Sequence, residues 1–246
     1  LPLVTAAAVI YAMLSLGAPT ALSASASVGD FSGPASVAVS GTHVWVANSA
    51  GNSVTELNAS NGSLVRVIDA TADRFDVPQS VAVSGTHVWV ANSQGNSVTE
   101  LNASNGSLVR VINATADGFS GPGGLAVSGT HVWVANNIGT NNIGNSVTEL
   151  NASNGSLVRV INATSDGFNS PTSVAASGTR VWVTNPYDNA VTELNASNGS
   201  LVRVIYPGME PCGVAVSGTH VWVTNLTGNS VTEINASNGS LVRVIH

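Results

Sequence analysis

From residue 31 to residue 246 the chain alternates short Val-rich runs, in which apolar and polar positions take turns, with clusters of Gly, Asn, Ser and Thr. A period of two over a short run predicts a strand, and the clusters predict tight turns between antiparallel neighbours. In the first stretch the expected strands are A (Ser36 to Ser40), B (His43 to Asn48), C (Ser53 to Asn58) and D (Leu64 to Ile68). Gly41-Thr42 makes the A to B turn, Ala50-Gly51-Asn52 the B to C turn, and Ser60-Asn61-Gly62-Ser63 the C to D hairpin, where Asn-Gly accepts positive φ. In strand B, Val44 and Val46 face one way while Trp45 and Ala47 face the other. Both faces of the sheet are therefore apolar and need cover.

The pattern then recurs. Gly-Thr-His-Val-Trp-Val-Ala-Asn and its close variants place all five tryptophans, Trp45, Trp89, Trp133, Trp182 and Trp222, at spacings of 44, 44, 49 and 40 residues by subtraction. Periods of ~40 to 45 residues are those of four-stranded propeller blades. The long spacing contains a duplicated Asn-Asn-Ile-Gly between Asn136 and Gly144, and the short one has an abbreviated linker from Tyr206 to Cys212. The expected fold is all-β: a β-propeller of at least five four-stranded antiparallel blades within residues 27–246, preceded by an apolar N-terminal segment, residues 1–26. The blades fall at approximately 31–74, 75–118, 119–167, 168–207 and 208–246, each sandwiched between neighbours. Every repeat carries one Glu on strand C and one Arg on strand D, such as Glu56 and Arg66, which predicts a cross-strand pair of about 0.2 to 1 kcal/mol per blade.

These residues resemble the YVTN-type β-propeller repeat. Its name-giving strand looks like Val181-Trp182-Val183-Thr184-Asn185, and the following Asp188-Asn189-Ala190-Val191-Thr192 fits the same pattern. The resemblance covers residues 31–246 and implies a propeller of bacterial or archaeal surface or exported proteins, mostly of unassigned function. Such propellers often close with about seven blades, so five whole repeats are a departure.

Residues 1–17 are mostly apolar, no charge precedes Asp30, and Ala24-Ser25-Ala26 offers the small-x-small pattern of a signal-peptidase site. An exported, extracytoplasmic protein is expected, with residues 1–26 either a cleaved signal peptide or a retained anchor that brings membrane or filament association.

Charge narrows the partners. There is no Lys, and seven Arg against thirteen Asp and Glu give a net charge of -6, which disfavours nucleic acid and anionic surfaces. The single Cys212 can form no internal disulfide and is expected to be a buried small residue.

In a propeller the D to A linkers and B to C loops share one rim, and the A to B and C to D turns share the other. The second set are near-perfect copies, whereas segments that differ between repeats, including Asn136 to Gly144 and Pro186-Tyr187-Asp188, fall on the first. Loop variation on one rim of a rigid scaffold is where specificity is carried. The candidate ligand-binding residues there are Asp30, Asp73, Asp76, Asp117, Asp166, Tyr187 and Asp188. Phe31, Phe75, Phe119 and Phe168 also sit in the linkers, either as plugs between blades or as part of an acidic and aromatic mouth for a cation, a basic peptide or a sugar.

His43, His87, His131 and His220, with Arg180 in the fourth repeat, recur at the start of strand B. Equivalent residues of adjacent blades would stand on the order of 10 Å apart, far beyond the ~2 Å reach of a zinc ligand, so a turn or strand-start role is expected and no metal or other cofactor. No nucleophile elbow or phosphate loop is present, and no Ser, His and Asp set breaks the repeat symmetry. The Asn-Ala-Ser and Asn-Gly-Ser triplets are expected to be hairpin chemistry. The function expected is a non-catalytic binding or surface scaffold with a protein or carbohydrate partner at the variable rim; the alternatives are a multivalent lectin, a filament subunit and a propeller lyase.

Overall fold

A computed structural model describes residues 31–69, 75–113, 118–137, 145–162 and 167–246. The expectations for residues 1–26 lie outside them. The fold is an all-β propeller of five four-stranded antiparallel blades, each a meander of consecutive strands. Blade 1 is β1 (Pro34–Ser40), β2 (His43–Asn48), β3 (Ser53–Asn58) and β4 (Leu64–Asp69). Blade 2 is β5 (Pro78–Ser84), β6 (His87–Asn92), β7 (Ser97–Asn102) and β8 (Leu108–Asn113). Blade 3 is β9 (Pro122–Ser128), β10 (His131–Asn136), β11 (Ser146–Asn151) and β12 (Leu157–Asn162). Blade 4 is β13 (Val174–Ser177), β14 (Arg180–Asn185), β15 (Ala190–Asn195) and β16 (Leu201–Ile205). Blade 5 is β17 (Pro211–Ser217), β18 (His220–Asn225), β19 (Ser230–Asn235) and β20 (Leu241–Ile245). Among the described residues no helix is long and apolar enough to cross a membrane.

The chain divides into two compact units, one ending at Ile112 and one beginning at Asn113. In the first, Trp45, Ala47, Val54 and Ile68 of blade 1 pack with Val81, Val88, Val90 and Leu101 of blade 2, with Phe75 between them. The second unit repeats this device: Trp133, Ala135, Val147 and Ile161 meet Val174, Val181, Val183 and Leu194 around Phe168. Ala175, Trp182, Val191 and Ile205 then meet Val214, Val221, Val223 and Ile234. Within each unit, then, a blade turns a Trp-bearing face to the blade that follows it and meets there a Val-bearing face. Burial of these branched side chains, at about 25 cal/mol per Å² of apolar surface, is the main force holding neighbours together.

Turn chemistry sets the register. Gly41 and Gly62 take φ of 57° and 70°, and Asn58 Oδ1 accepts both the N–H and the hydroxyl of Ser60 at 2.9 and 2.7 Å. The Asn-Ala-Ser triplet is therefore an Asx turn, as the hairpin expectation required. At the other end of β2, the buried amide of Asn48 donates to Ser53 Oγ at 3.1 Å and Thr55 Oγ1 at 2.9 Å. Asn92, Asn136 and Asn225 repeat both bonds, so this residue clamps strand B to strand C in its own blade.

Strand A begins earlier than the alternation predicts, because Pro34 pairs with Asn48 across a bulge before Ser36. In blade 4 the same strand starts late, at Val174, although Thr184 N–H still donates to Ser173 O at 3.0 Å ahead of it. Cys212 is half-buried rather than buried, since it lies on β17 beside the bulge between Pro211 and Gly213. Desolvation, reinforced by Glu210, pushes its thiol pKa up and keeps it protonated.

Candidate functional site

The bonds inside each blade separate two rims. On one, the B to C loop reaches back to the strand A linker, with Ser49 N–H donating to Gly33 O at 2.8 Å and Leu226 N–H to Glu210 O at 2.9 Å. On the other, the C to D turn meets the A to B turn, with Ala59 N–H donating to Thr42 O at 2.8 Å.

The second rim carries a constellation that the strand pattern reveals only in part. Glu56 pairs with Arg66 across β3 and β4 as the spacing predicts, Arg66 Nε standing 2.7 Å from Glu56 Oε2. The carboxylate is buried, however, so the small energy of an exposed pair does not apply to it. Its other oxygen lies 2.6 Å from His43 Nδ1. Glu100 with His87 and Arg110, Glu149 with His131 and Arg159, and Glu233 with His220 and Arg243 repeat the arrangement. In blade 4, Arg180 replaces the histidine at 2.8 Å from Glu193. The strand-start histidines are thus partners of a buried carboxylate. Sequence reasoning passed over this role, although the exchange of His for Arg opposite an invariant Glu among the repeats was its signal.

Burial pushes the carboxyl pKa of Glu149 and of Glu193 up, against the opposing pull of Arg159 and His131 on the first and of Arg203 and Arg180 on the second. Arg66, Arg159 and Arg203 also reach the next blade's hairpin, donating to the carbonyls of Ser104, Ser197 and Ser237 at 3.5, 3.3 and 3.3 Å. These groups spend their hydrogen bonds on each other and on the neighbouring blade, the arrangement of a structural clamp.

The variable rim is different. Of the candidate ligand residues, Asp30, Asp73, Asp117 and Asp166 lie outside the described residues. Asp76 is exposed in the first unit, its backbone carbonyl taking the N–H groups of Gln94 and Gly95, both at 3.3 Å. Asp188, in the second unit, is also exposed and accepts a 2.9 Å bond from Asn169 Nδ2. Beside it Tyr187 occupies a single 3-10 turn, Pro186–Asp188, with 69% of its surface exposed. Phe75 and Phe168 are buried in the blade interfaces and so are plugs, and Phe119 is buried as well, so none of the three contributes to an aromatic mouth.

What sequence reasoning missed lies next to Tyr187. Asn189 Oδ1 accepts the backbone N–H of Glu210 at 2.7 Å, tying the Tyr187 loop to the abbreviated linker of blade 5. That linker holds Met209 61% exposed, and it bonds to the loop carrying the exposed Leu226. Large apolar side chains are thereby fixed outward on interlocked loops, with Asp188 and Glu210 among them. The available signal was that the rim departs from the repeat at these positions.

Five four-stranded meander sheets, packed within each unit with the Trp-bearing surface of one blade on the Val-bearing surface of the next, define the class, a β-propeller. No protein-family model and no curated protein sequence matches the chain. Solved structures share the fold. Virginiamycin B lyase from Staphylococcus aureus, solved with quinupristin, superimposes with a TM-score of 0.71 at 18% identity over 88% of this chain and 71% of its own. Hydrazine synthase from Kuenenia stuttgartiensis gives 0.71 at 21% identity over 92% and 68%. The computationally designed Ika8 protein gives 0.66 at 16% identity over 85% of this chain, which spans 60% of that protein's length. At these identities the likeness is one of fold.

Proposed function

We propose that this chain is an exported, non-catalytic β-propeller of the YVTN-type repeat group that binds a protein partner through the variable rim of blades 4 and 5. The observation that carries this reading is the outward display of Tyr187, Met209 and Leu226 on loops locked together by the Asn189 to Glu210 bond. Tyr and Met are enriched where protein surfaces meet, and a display held rigid before contact loses little entropy on binding. Asp188 and Glu210, in a chain with a net charge of -6, favour a basic partner. Export rests on the apolar residues 1–17 and the Ala24-Ser25-Ala26 pattern. The group assignment rests on the Val181 to Asn185 strand, which β14 contains.

The test is selection of peptides from a random display library against the full chain, followed by binding to two variants. Peptides that bind wild type and T86R but lose at least about tenfold in affinity, roughly 1.4 kcal/mol, against a Y187A/M209S double variant support the reading. Binding indifferent to Y187A/M209S overturns it. So does a glycan array that binds strongly while the library yields nothing, which would make the chain a lectin.

A further inference from the structure

Two tyrosines stand at one edge of blade 4. Tyr187 lies in the turn that joins β14 to β15 and is 69% exposed. Tyr206 follows the last residue of β16 and is 68% exposed. Strand register brings them to the same place: Asn185 pairs with Ala190 and Val191 with Ile205, so Tyr206 stands beside Ala190, across it from the strand that leads into the Tyr187 turn. With strands ~4.8 Å apart, the two tyrosine backbones lie on the order of 10 Å from one another, close enough for both rings to meet one bound group. Blade 4 packs against blade 3 on one face and blade 5 on the other, all within the second unit, so this exposure belongs to the rim and not to an uncovered face.

The backbone holds both tyrosines in place. Pro207 keeps Tyr206 extended, and its carbonyl accepts a 2.7 Å bond from the buried hydroxyl of Thr232. The Tyr187 turn is closed by Asn189 N–H donating to Pro186 O at 3.2 Å. Asp188, next to Tyr187, is exposed, and among the described residues its carboxylate takes a bond only from Asn169 Nδ2, at 2.9 Å on Oδ1. No arginine of the second unit balances that charge, because Arg159, Arg180, Arg203 and Arg243 all pair with clamp glutamates on the opposite rim. The chain has no Lys to do so either.

We propose that this edge of blade 4 binds an arginine side chain of the basic partner, its guanidinium lying on the rings of Tyr187 and Tyr206 with Asp188 as counter-ion. The inference rests on the protein-partner reading above and narrows it to one side chain. A guanidinium is planar and weakly hydrated, stacks on aromatic faces, and carries its donors in a fork that fits a carboxylate. Asp188 Oδ2 is there to take one of those donors while Asn169 holds Oδ1. A lysine brings the charge without the plane. A neutral sugar stacks on the same rings but leaves Asp188 without a counter-charge, so the carboxylate favours the cation.

The experiment is fluorine NMR of the full chain with its three tyrosines fluorinated, the signals of Tyr187 and Tyr206 being assigned from Y187F and Y206F. N-acetyl-arginine amide is titrated in parallel with its lysine and citrulline counterparts and with neutral methyl glycosides. Both tyrosine signals are expected to shift together and saturate with the arginine probe, at roughly millimolar concentration for a single side chain. Lysine is expected to bind about threefold more weakly, and citrulline, which keeps the plane and loses the charge, about tenfold. D188N and Y206A, both at exposed positions, are expected to keep the melting temperature and to weaken the arginine probe by about two- to fivefold each. Citrulline or a glycoside bound as well as arginine overturns the inference. So do two tyrosine signals that respond independently, or arginine binding untouched by D188N and Y206A. Each of these results leaves the library selection on Y187A/M209S to be read by itself, so this inference and the partner reading can fail separately.

Discussion

The side-chain oxygen of Asn52 accepts a 2.8 Å hydrogen bond from the backbone N–H of Val77, a β-branched residue held at φ +53°. Asn145 with Ser170 and Asn189 with Glu210 form the same bolt, at 2.6 and 2.7 Å. Gly33 and Gly121 occupy the corresponding position in the other two repeats, with φ of 62° and 57°. The bolt therefore holds a left-handed residue just before a proline, one that opens strand A in blades 2 and 5 and stands three residues ahead of it in blade 4, and glycine is the residue without a steric penalty there.

Replacing Val77 tests that account. The left-handed conformation costs a residue with a Cβ roughly 1 to 2 kcal/mol, partly offset by the chain entropy that glycine adds to the unfolded state. V77G is expected to be more stable than V77A by about 1 kcal/mol, since both lose the valine methyls and only glycine relieves the backbone. Urea unfolding midpoints decide it. Equal midpoints would mean that the backbone there is unstrained.

The clamp makes a second expectation. Glu193 is buried between Arg180 Nε at 2.8 Å and Arg203 Nε at 3.1 Å. R203M leaves a buried carboxylate with one cation and is expected to cost about 2 to 3 kcal/mol, read as a lowered urea midpoint. A loss below about 0.5 kcal/mol would place the pair among ordinary surface contacts.

Histidine and arginine should be interchangeable in this clamp, because the repeats already contain both. H87R is expected to fold with a melting temperature close to that of wild type. H87L leaves Glu100 Oε1, now 2.5 Å from the imidazole, without its donor, and is expected to destabilise by about 1 to 3 kcal/mol. Calorimetry of the two variants separates these outcomes, and equal losses would count against a bonding role.

Acidity supplies the fourth test. Burial raises the carboxyl pKa of Glu149 and Glu193 above the ordinary 4.5. In that window the native state binds more protons than the unfolded chain. The stability these groups contribute is full below the unfolded pKa and is lost as the pH rises through the raised one. Wild type should therefore lose ground to E149Q as the pH climbs from 4.5. Urea midpoints of the two proteins across that range check the sign, and a wild type that instead gains on E149Q would reverse the assignment.

Strand positions were legible because period-2 alternation and Asn-Gly turns act locally: β2 and β3 begin and end where the pattern in Ser53 to Asn58 and His43 to Asn48 places them. The facing of Glu56 and Arg66 was legible too, since a short hairpin leaves few registers. What was not legible needed the third dimension. The His43 contact with Glu56 depends on how two side chains bend toward one another from adjacent strands. The alternation marks strand A only from Ser36, and the bulge that lets Pro34 pair with Asn48 ahead of it carries no period-2 signal. The display of Met209 and Leu226 could not be read from hydropathy, which assigns such residues to the interior.

Near-identical blades have a cost during folding. Strand C of one repeat, Ser97 to Asn102, has the same six residues as strand C of another, Ser53 to Asn58, and the D strands are as alike. A nascent strand therefore gains as much from pairing with the wrong repeat as with its own, the condition under which repeat proteins swap segments between domains. Side-chain identity offers no discrimination, so selection falls to distance along the chain. The hairpin through Ser60-Asn61-Gly62-Ser63 closes over far fewer residues, and at a lower entropic cost, than any join across a whole repeat. The brevity of that turn, more than the chemistry of the strands it joins, keeps each blade to itself.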